Sequence, residues 1–184
     1  MGSLMSELMF TCSECKKKIK ATEVMDHDCM IAKPMVVPDA IGEVFGWRAW
    51  AVHGEGDDVR LGSVTHSKHR WPPRSFMIAE CAQHSTEEIP AQAHTCGLYA
   101  AKTREHLLSM TYHRYESDEN VIIGEVAMCG RVIPGTQGWR AQRARVHKLY
   151  VPYEKWRLVK PLSEVYGVEV ELANTLVLPN LEVM

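Results

Sequence analysis

No stretch of this 184-residue chain stays apolar long enough to cross a membrane. The longest such run, VIIGEVAMCG, stops far short of the roughly 20 residues that a spanning helix needs, and the N-terminus carries no apolar signal core. A cytoplasmic location away from any membrane is expected, with residues 1–4 a leader of no structural weight. Net charge is scarce as well: the formal value of −2 gives no general attraction to nucleic acid. The signatures of metal enzymes are missing too. A zinc protease wants H-E-x-x-H, a zinc deaminase wants H-x-E with a later P-C-x-x-C, and neither is present. No small-molecule substrate site is evident, and the reading points away from an enzyme.

What is present suits one globular core and a small accessory module. Apolar residues make up 46% of the chain and charged ones 24%, within the range of folded domains. Residues 9–33 form a compact front block, residues 34–41 carry two prolines that suit a linker, residues 42–172 form the main domain, and residues 173–184 a tail. EVFGWRAWAVH and VRLGSVTH, joined by GEGDD, read as a hairpin over 43–65. WPPR at 71–74 breaks regular structure, and FMIAECA resumes as a strand. Thr103 caps a short helix. NVIIGEVAMCGRVIPG reads as a strand covered on both faces, turned by PGTQG into GWRAQRARVHKLYVP. In that last segment Ala141 and Ala144 lie on opposite parities, so a bulge near 142–143 is expected. LSEVYG is a helical turn closed by Gly167, and VEVEL a last strand. The fold class expected is α+β: a β-rich twisted or barrel-like sheet with few short helices, preceded by a zinc-finger-like module. GWRA occurs at 46–49 and again at 138–141, too short a match to indicate duplication.

Six cysteines in an intracellular chain read as thiols or metal ligands rather than disulfides. Cys129, alone in an apolar run, reads as a small buried hydrophobe. The others fall into two sets. Cys12 and Cys15 make a C-x2-C knuckle, followed after eleven intervening residues by His27 and Cys29, which share one side of an extended chain. Together they can complete a tetrahedral zinc shell, and metal binding would stabilise so small a block by on the order of 10 kcal/mol. The alternative is reduced cysteines in a leader. In the middle, Cys81-x2-His84 is followed after nine residues by His94-x-Cys96. Thiolate and imidazole favour zinc over calcium or magnesium. A plain loop and a nucleophilic Cys–His pair stay open beside that reading. Four protein ligands would leave no place for water or substrate, so one or two structural zinc ions are expected, with no catalytic residue. Glu87 and Glu88 fit a solvated loop, and Trp47 and Trp50 fit the core.

Trp71-Pro72-Pro73, Cys81, the run His94-Thr95-Cys96-Gly97-Leu98-Tyr99-Ala100, Gly124 to Val132, and Gly138 to Ala141 together form a pattern. It resembles that of a group of actinobacterial and actinobacteriophage proteins with no established activity. The resemblance spans about residues 43–172 and leaves out the front block. In that group the position of His94 is usually cysteine, an exchange of one zinc ligand for another. It implies an actinobacterial or phage origin and no particular function.

Between 131 and 160 the cations Arg131, Arg140, Arg143, Arg145, Lys148, Lys155, Arg157 and Lys160 meet a single acid, Glu154. Trp139, Tyr150, Tyr153 and Trp156 lie among them, a composition suited to base stacking and phosphate contact, or to a solvated face. Lys16, Lys17, Lys18 and Lys20 add a second cluster on the front block. Two functions follow: a zinc-stabilised accessory protein that binds nucleic acid through Arg140, Arg143, Arg145, Lys148, Lys155, Arg157, Lys16, Lys17 and Lys18, or an adaptor or inhibitor that binds a host protein and uses zinc only for rigidity.

Overall fold

The computed structural model describes residues 9–11, 18–20, 35–37, 42–65, 69–109 and 120–173. Cys12, Cys15, His27 and Cys29 lie outside the described residues, as do Lys16, Lys17 and the chain from 174 onward. From the front block, β1 (Met9–Thr11) and β2 (Lys18–Lys20) pair antiparallel as a separate two-stranded sheet. The main sheet begins with β3 (Met35–Val37), inside the segment expected as a linker. The apolar triplet MVV between Pro34 and Pro38, with two β-branched valines, has the character of a strand, and it pairs with the second half of β8 (Val121–Pro134).

The domain is rich in sheet with few helices, as the residue pattern predicts. β4 (Val44–His53) and β5 (Arg60–Ser63) form the expected hairpin. β8 turns at Gly135–Gly138 into β9 (Gly138–Val151), the longest pairing in the fold. One edge of β9 is taken by β8. Along its other edge lie β7 (Leu98–Ala101), β6 (Met77–Ile78) and, running parallel, β10 (Glu169–Leu172). β4 pairs with β8 over eight residue pairs and touches β7 at one, Trp47 with Ala101. The sheet therefore twists back on itself without closing into a clean barrel.

Burial follows from this enclosure. Ile122, Ile123, Val126, Ala127, Met128, Cys129 and Val132 of β8 are each no more than 1% exposed, since both faces of that strand are covered. Trp50 and Trp71 pack edge to face in the core, their centroids 5.4 Å apart, while Trp47 is half-buried and stacks on Tyr150. Thr103 caps α1 (Arg104–Ser109) through its hydroxyl, which accepts from the His106 N–H at 3.2 Å. α2 (Val159–Tyr166) ends at Gly167, and a 3-10 turn over Tyr153–Leu158 leads into it. No helix among the described residues is long and apolar enough to cross a membrane.

The expected irregularity at 142–143 is present in the β8–β9 ladder, with a difference. Between Cys129↔Arg143 and Val132↔Ala141 the extra residue sits on β8, where Gly130 and Arg131 face Gln142. Gly130 takes φ +74°, a conformation open to glycine at no steric cost. A second shift, between Glu125↔Lys148 and Val126↔Val146, leaves His147 as the extra residue on β9.

Candidate metal centre

β6 and β7 both lie on β9, at Arg143–Ala144 and at Gly138–Ala141 respectively, so residues 79–97 leave the sheet and return to nearly the same place. Gln142 stands between the two attachments. Its carbonyl accepts from Ala79 N–H at 2.9 Å, and its side-chain amide donates to Thr86 O at 2.6 Å. Arg131 reaches from the facing bulge to Glu88 O at 3.1 Å. Within the loop, Glu88 Oε2 accepts from both the N–H and the hydroxyl of Ser85 at 2.9 Å, closing a turn; those bonds hold its carboxyl below the usual range. Glu88 is thus a structural turn residue. Ile89, 1% exposed, anchors the loop in the core. The return to β7 runs through Gly97 at φ +124°, where a Cβ would stand 3.0 Å from that of Pro90.

This path brings Cys81, His84, His94 and Cys96 together, with one donor atom from each lying within 4.8 Å of all the others. His84 Nδ1 is 3.5 Å from Cys81 Sγ and 4.0 Å from Cys96 Sγ, and His94 Nδ1 is 3.7 Å from Cys81 Sγ. The two rings are tilted at 51° with centroids 4.9 Å apart. A tetrahedral ion with Zn–S near 2.3 Å and Zn–N near 2.0 Å would place sulfur about 3.5 Å from nitrogen. The observed edges start at that value and run to 4.0 Å. The sulfurs also accept backbone bonds, Cys81 Sγ from Gln83 N–H at 3.4 Å and Cys96 Sγ from Ala91 N–H at 3.3 Å. The Gln83 bond is the main cause that holds the Cys81 thiol below its ordinary range, and the His84 side chain adds to it. A lowered thiol favours the thiolate that a metal requires. The four side chains could therefore hold a metal ion such as zinc. Cys129, the other cysteine among the described residues, is fully buried in β8, away from this group.

Comparison with protein families, with curated proteins and with solved structures returned no match.

The basic segment is placed differently from what its composition suggests. Arg140, expected at a phosphate, is only 4% exposed and turns inward onto backbone carbonyls of the loop between β6 and β7. Arg145 forms a two-pronged pair with Glu43 at 2.9 and 2.7 Å, which holds its pKa up. Lys148 bridges Glu169 at 2.9 Å and Glu171 at 2.8 Å on the neighbouring β10. Lys155 donates to Val121 O at 3.1 Å. Arg143 is half-buried beside β6, while Lys18 is exposed on β2. Arg157 is exposed over the ring of Trp156, 5.6 Å from its centroid. Trp156 and Tyr153, 60% and 57% exposed, are the most open large apolar side chains described. Arg131, Arg140 and Gln142 tether the loop, a role that motif spacing misses because they lie more than 40 positions from the loop atoms they hold.

Proposed function

We propose that the protein is a non-enzymatic binding module whose Cys81, His84, His94 and Cys96 hold a structural zinc ion. The observation that carries this reading is the mutual approach of four donor atoms within 4.8 Å, with sulfur–nitrogen distances of 3.5, 3.7 and 4.0 Å. Four protein donors use every position of such an ion, which suits a cross-link and leaves no site for a substrate. Cys12, Cys15, His27 and Cys29 would supply a second ion on the front block. The partner in this reading is single-stranded nucleic acid, held at the 3-10 turn rather than along β9. Tyr153 and Trp156 offer exposed rings for stacking, and Arg157 supplies a cation beside them. The resemblance of residues 43–172 adds an actinobacterial or phage origin.

One observation favours a second reading, an adaptor that binds a host protein. Pairing of Arg145 with Glu43, and of Lys148 with Glu169 and Glu171, takes much of the charge off β9. Metal analysis of protein purified without added zinc, beside Cys81→Ser, tests the centre: one equivalent should be lost in the variant, and full retention removes the site. Titration with single-stranded DNA and RNA over a salt series, beside Trp156→Ala, tests the partner. Binding should weaken with salt and fall about 5- to 150-fold in the variant, the equivalent of about 1–3 kcal/mol of stacking. Salt-insensitive behaviour, or equal binding by the variant, moves the function to a protein partner.

A further inference from the structure

We propose that Arg140 is the positioning residue of the metal centre, a buried cation that fixes the spacing of His94 and Cys96 through their own backbone carbonyls. This rests on the metal reading above and goes beyond it. A guanidinium that is 4% exposed must find acceptors, because burying its charge unpaired is expensive. Arg140 finds them for its NH1 on one short piece of chain, while its NH2 is buried without a hydrogen-bond partner. Its NH1 shares its two hydrogens among Ala91 O at 3.4 Å, Cys96 O at 3.2 Å and His94 O. Two of these carbonyls belong to proposed ligands. The third belongs to Ala91, whose N–H donates to Cys96 Sγ and whose carbonyl also accepts from His94 N–H. Tyr99 grips the same stretch with a hydroxyl that donates to Thr95 O.

The consequence concerns orientation rather than bonding to the ion. His94 and Cys96 stand two residues apart, so their donor atoms converge only if the intervening backbone keeps one conformation. Three acceptors drawn onto one nitrogen of a rigid strand impose that conformation before an ion arrives, which reduces the ordering that binding must supply. Groups that orient ligands from outside the coordination shell are commonly worth about 10- to 100-fold in metal affinity. Gln142 plays a lesser part on the opposite half of the loop, through Thr86. Arg140 therefore serves the site from the sheet, where a count of basic residues would assign it to a phosphate.

The test uses the full chain carrying Cys12→Ser and Cys15→Ser, so that only the middle site is read. Zinc affinity is measured by competition with a chromophoric chelator, and the cobalt-substituted protein is examined for the visible bands of a tetrahedral thiolate site. Arg140→Met keeps the apolar stem of the side chain but has no donor, and it should bind zinc about 10- to 100-fold more weakly with altered cobalt bands. Arg140→Lys keeps a buried cation with donors and should recover most of that loss. A residue that only fills space would show the reverse order, and equal affinity in Arg140→Met overturns the proposal. Should that variant fail to fold by circular dichroism, Arg140→Gln decides, since its shorter, neutral side chain neither reaches the three carbonyls nor offers them a cation; an affinity equal to the parent's overturns it again. Cys96→Ser in the same background separates the two ideas: a parent protein that takes up no metal removes the centre itself, whereas uptake abolished by Cys96→Ser but untouched in the Arg140 variants removes only the role of Arg140.

Discussion

Chelating the metal, or replacing Cys81 with serine, should lower the melting temperature without unfolding the domain. An ion held by Cys81 and Cys96 closes a loop of roughly 15 residues, and a covalent closure of that length is worth about 3 kcal/mol through the entropy it removes from the unfolded chain. In a domain of this size each kcal/mol corresponds to about 2–4 °C, so a loss of about 6–12 °C is expected. Complete unfolding, as in a small zinc finger, is not, because the loop has other holds on the sheet. Ile89 is 1% exposed, and burial of a side chain of that size contributes about 1.5–3 kcal/mol. Arg131, Arg140 and Gln142 each donate to a carbonyl of the loop. The assay is thermal melting followed by far-ultraviolet circular dichroism, with and without chelator, in the chain carrying Cys12→Ser and Cys15→Ser. Identical melting curves would refute the cross-link. Loss of the whole signal on chelation would refute the tethers, by showing that the loop and its ion are the core on which the sheet depends.

Two further outcomes follow from the same packing. Ile89→Ala removes an anchor from a closed site and should destabilise the domain by about 2–5 kcal/mol in denaturant titrations; a change below 1 kcal/mol would mean that the loop is not seated in the core. Tyr150 is pushed up to about 12, first by burial and then by its 2.8 Å bond to Glu125. The fold thus favours the protonated phenol, so its contribution is intact below about pH 10 and lost as pH rises through about 12. Stability measured between pH 9 and 11.5 should fall less steeply in Tyr150→Phe, and parallel curves would remove the effect.

Elements whose pattern is set by their own residues were legible in the amino-acid sequence. The apolar run of β8 means burial on both faces wherever the strand lies, Thr103 caps a helix by local geometry, and the parity change between Ala141 and Ala144 marks a place where the ladder is irregular. What sequence could not reveal was which partner takes up that irregularity. Gly130 sits on β8 and can adopt the positive φ that a bulge of this kind needs, so the extra residue falls there, opposite Gln142. β3 was hidden for a related reason: a triplet between two prolines reads as a connector until a long neighbouring strand offers it an edge. β7, only four residues long, owes its strand conformation to pairing with β9.

The same distinction separates the metal centre from the basic segment. Chelating pairs two or three residues apart carry their geometry with them, and only the joining of the two halves depends on the fold. β9 accomplishes that joining by receiving β6 and β7 at adjacent positions. Charge has no such local grammar. Between residues 131 and 160 the count of cations against Glu154 is correct, yet the acids that matter are Glu43, from before β4, and Glu169 and Glu171, from β10. Each reaches the segment through sheet pairing that no window along the chain contains. Arg140 is the limiting case: among the cations counted there, it is the one whose burial makes it a support of the metal loop. Its backbone neighbour Gln142 then supplies the second support, so that one strand edge, read outward, orders both halves of the site.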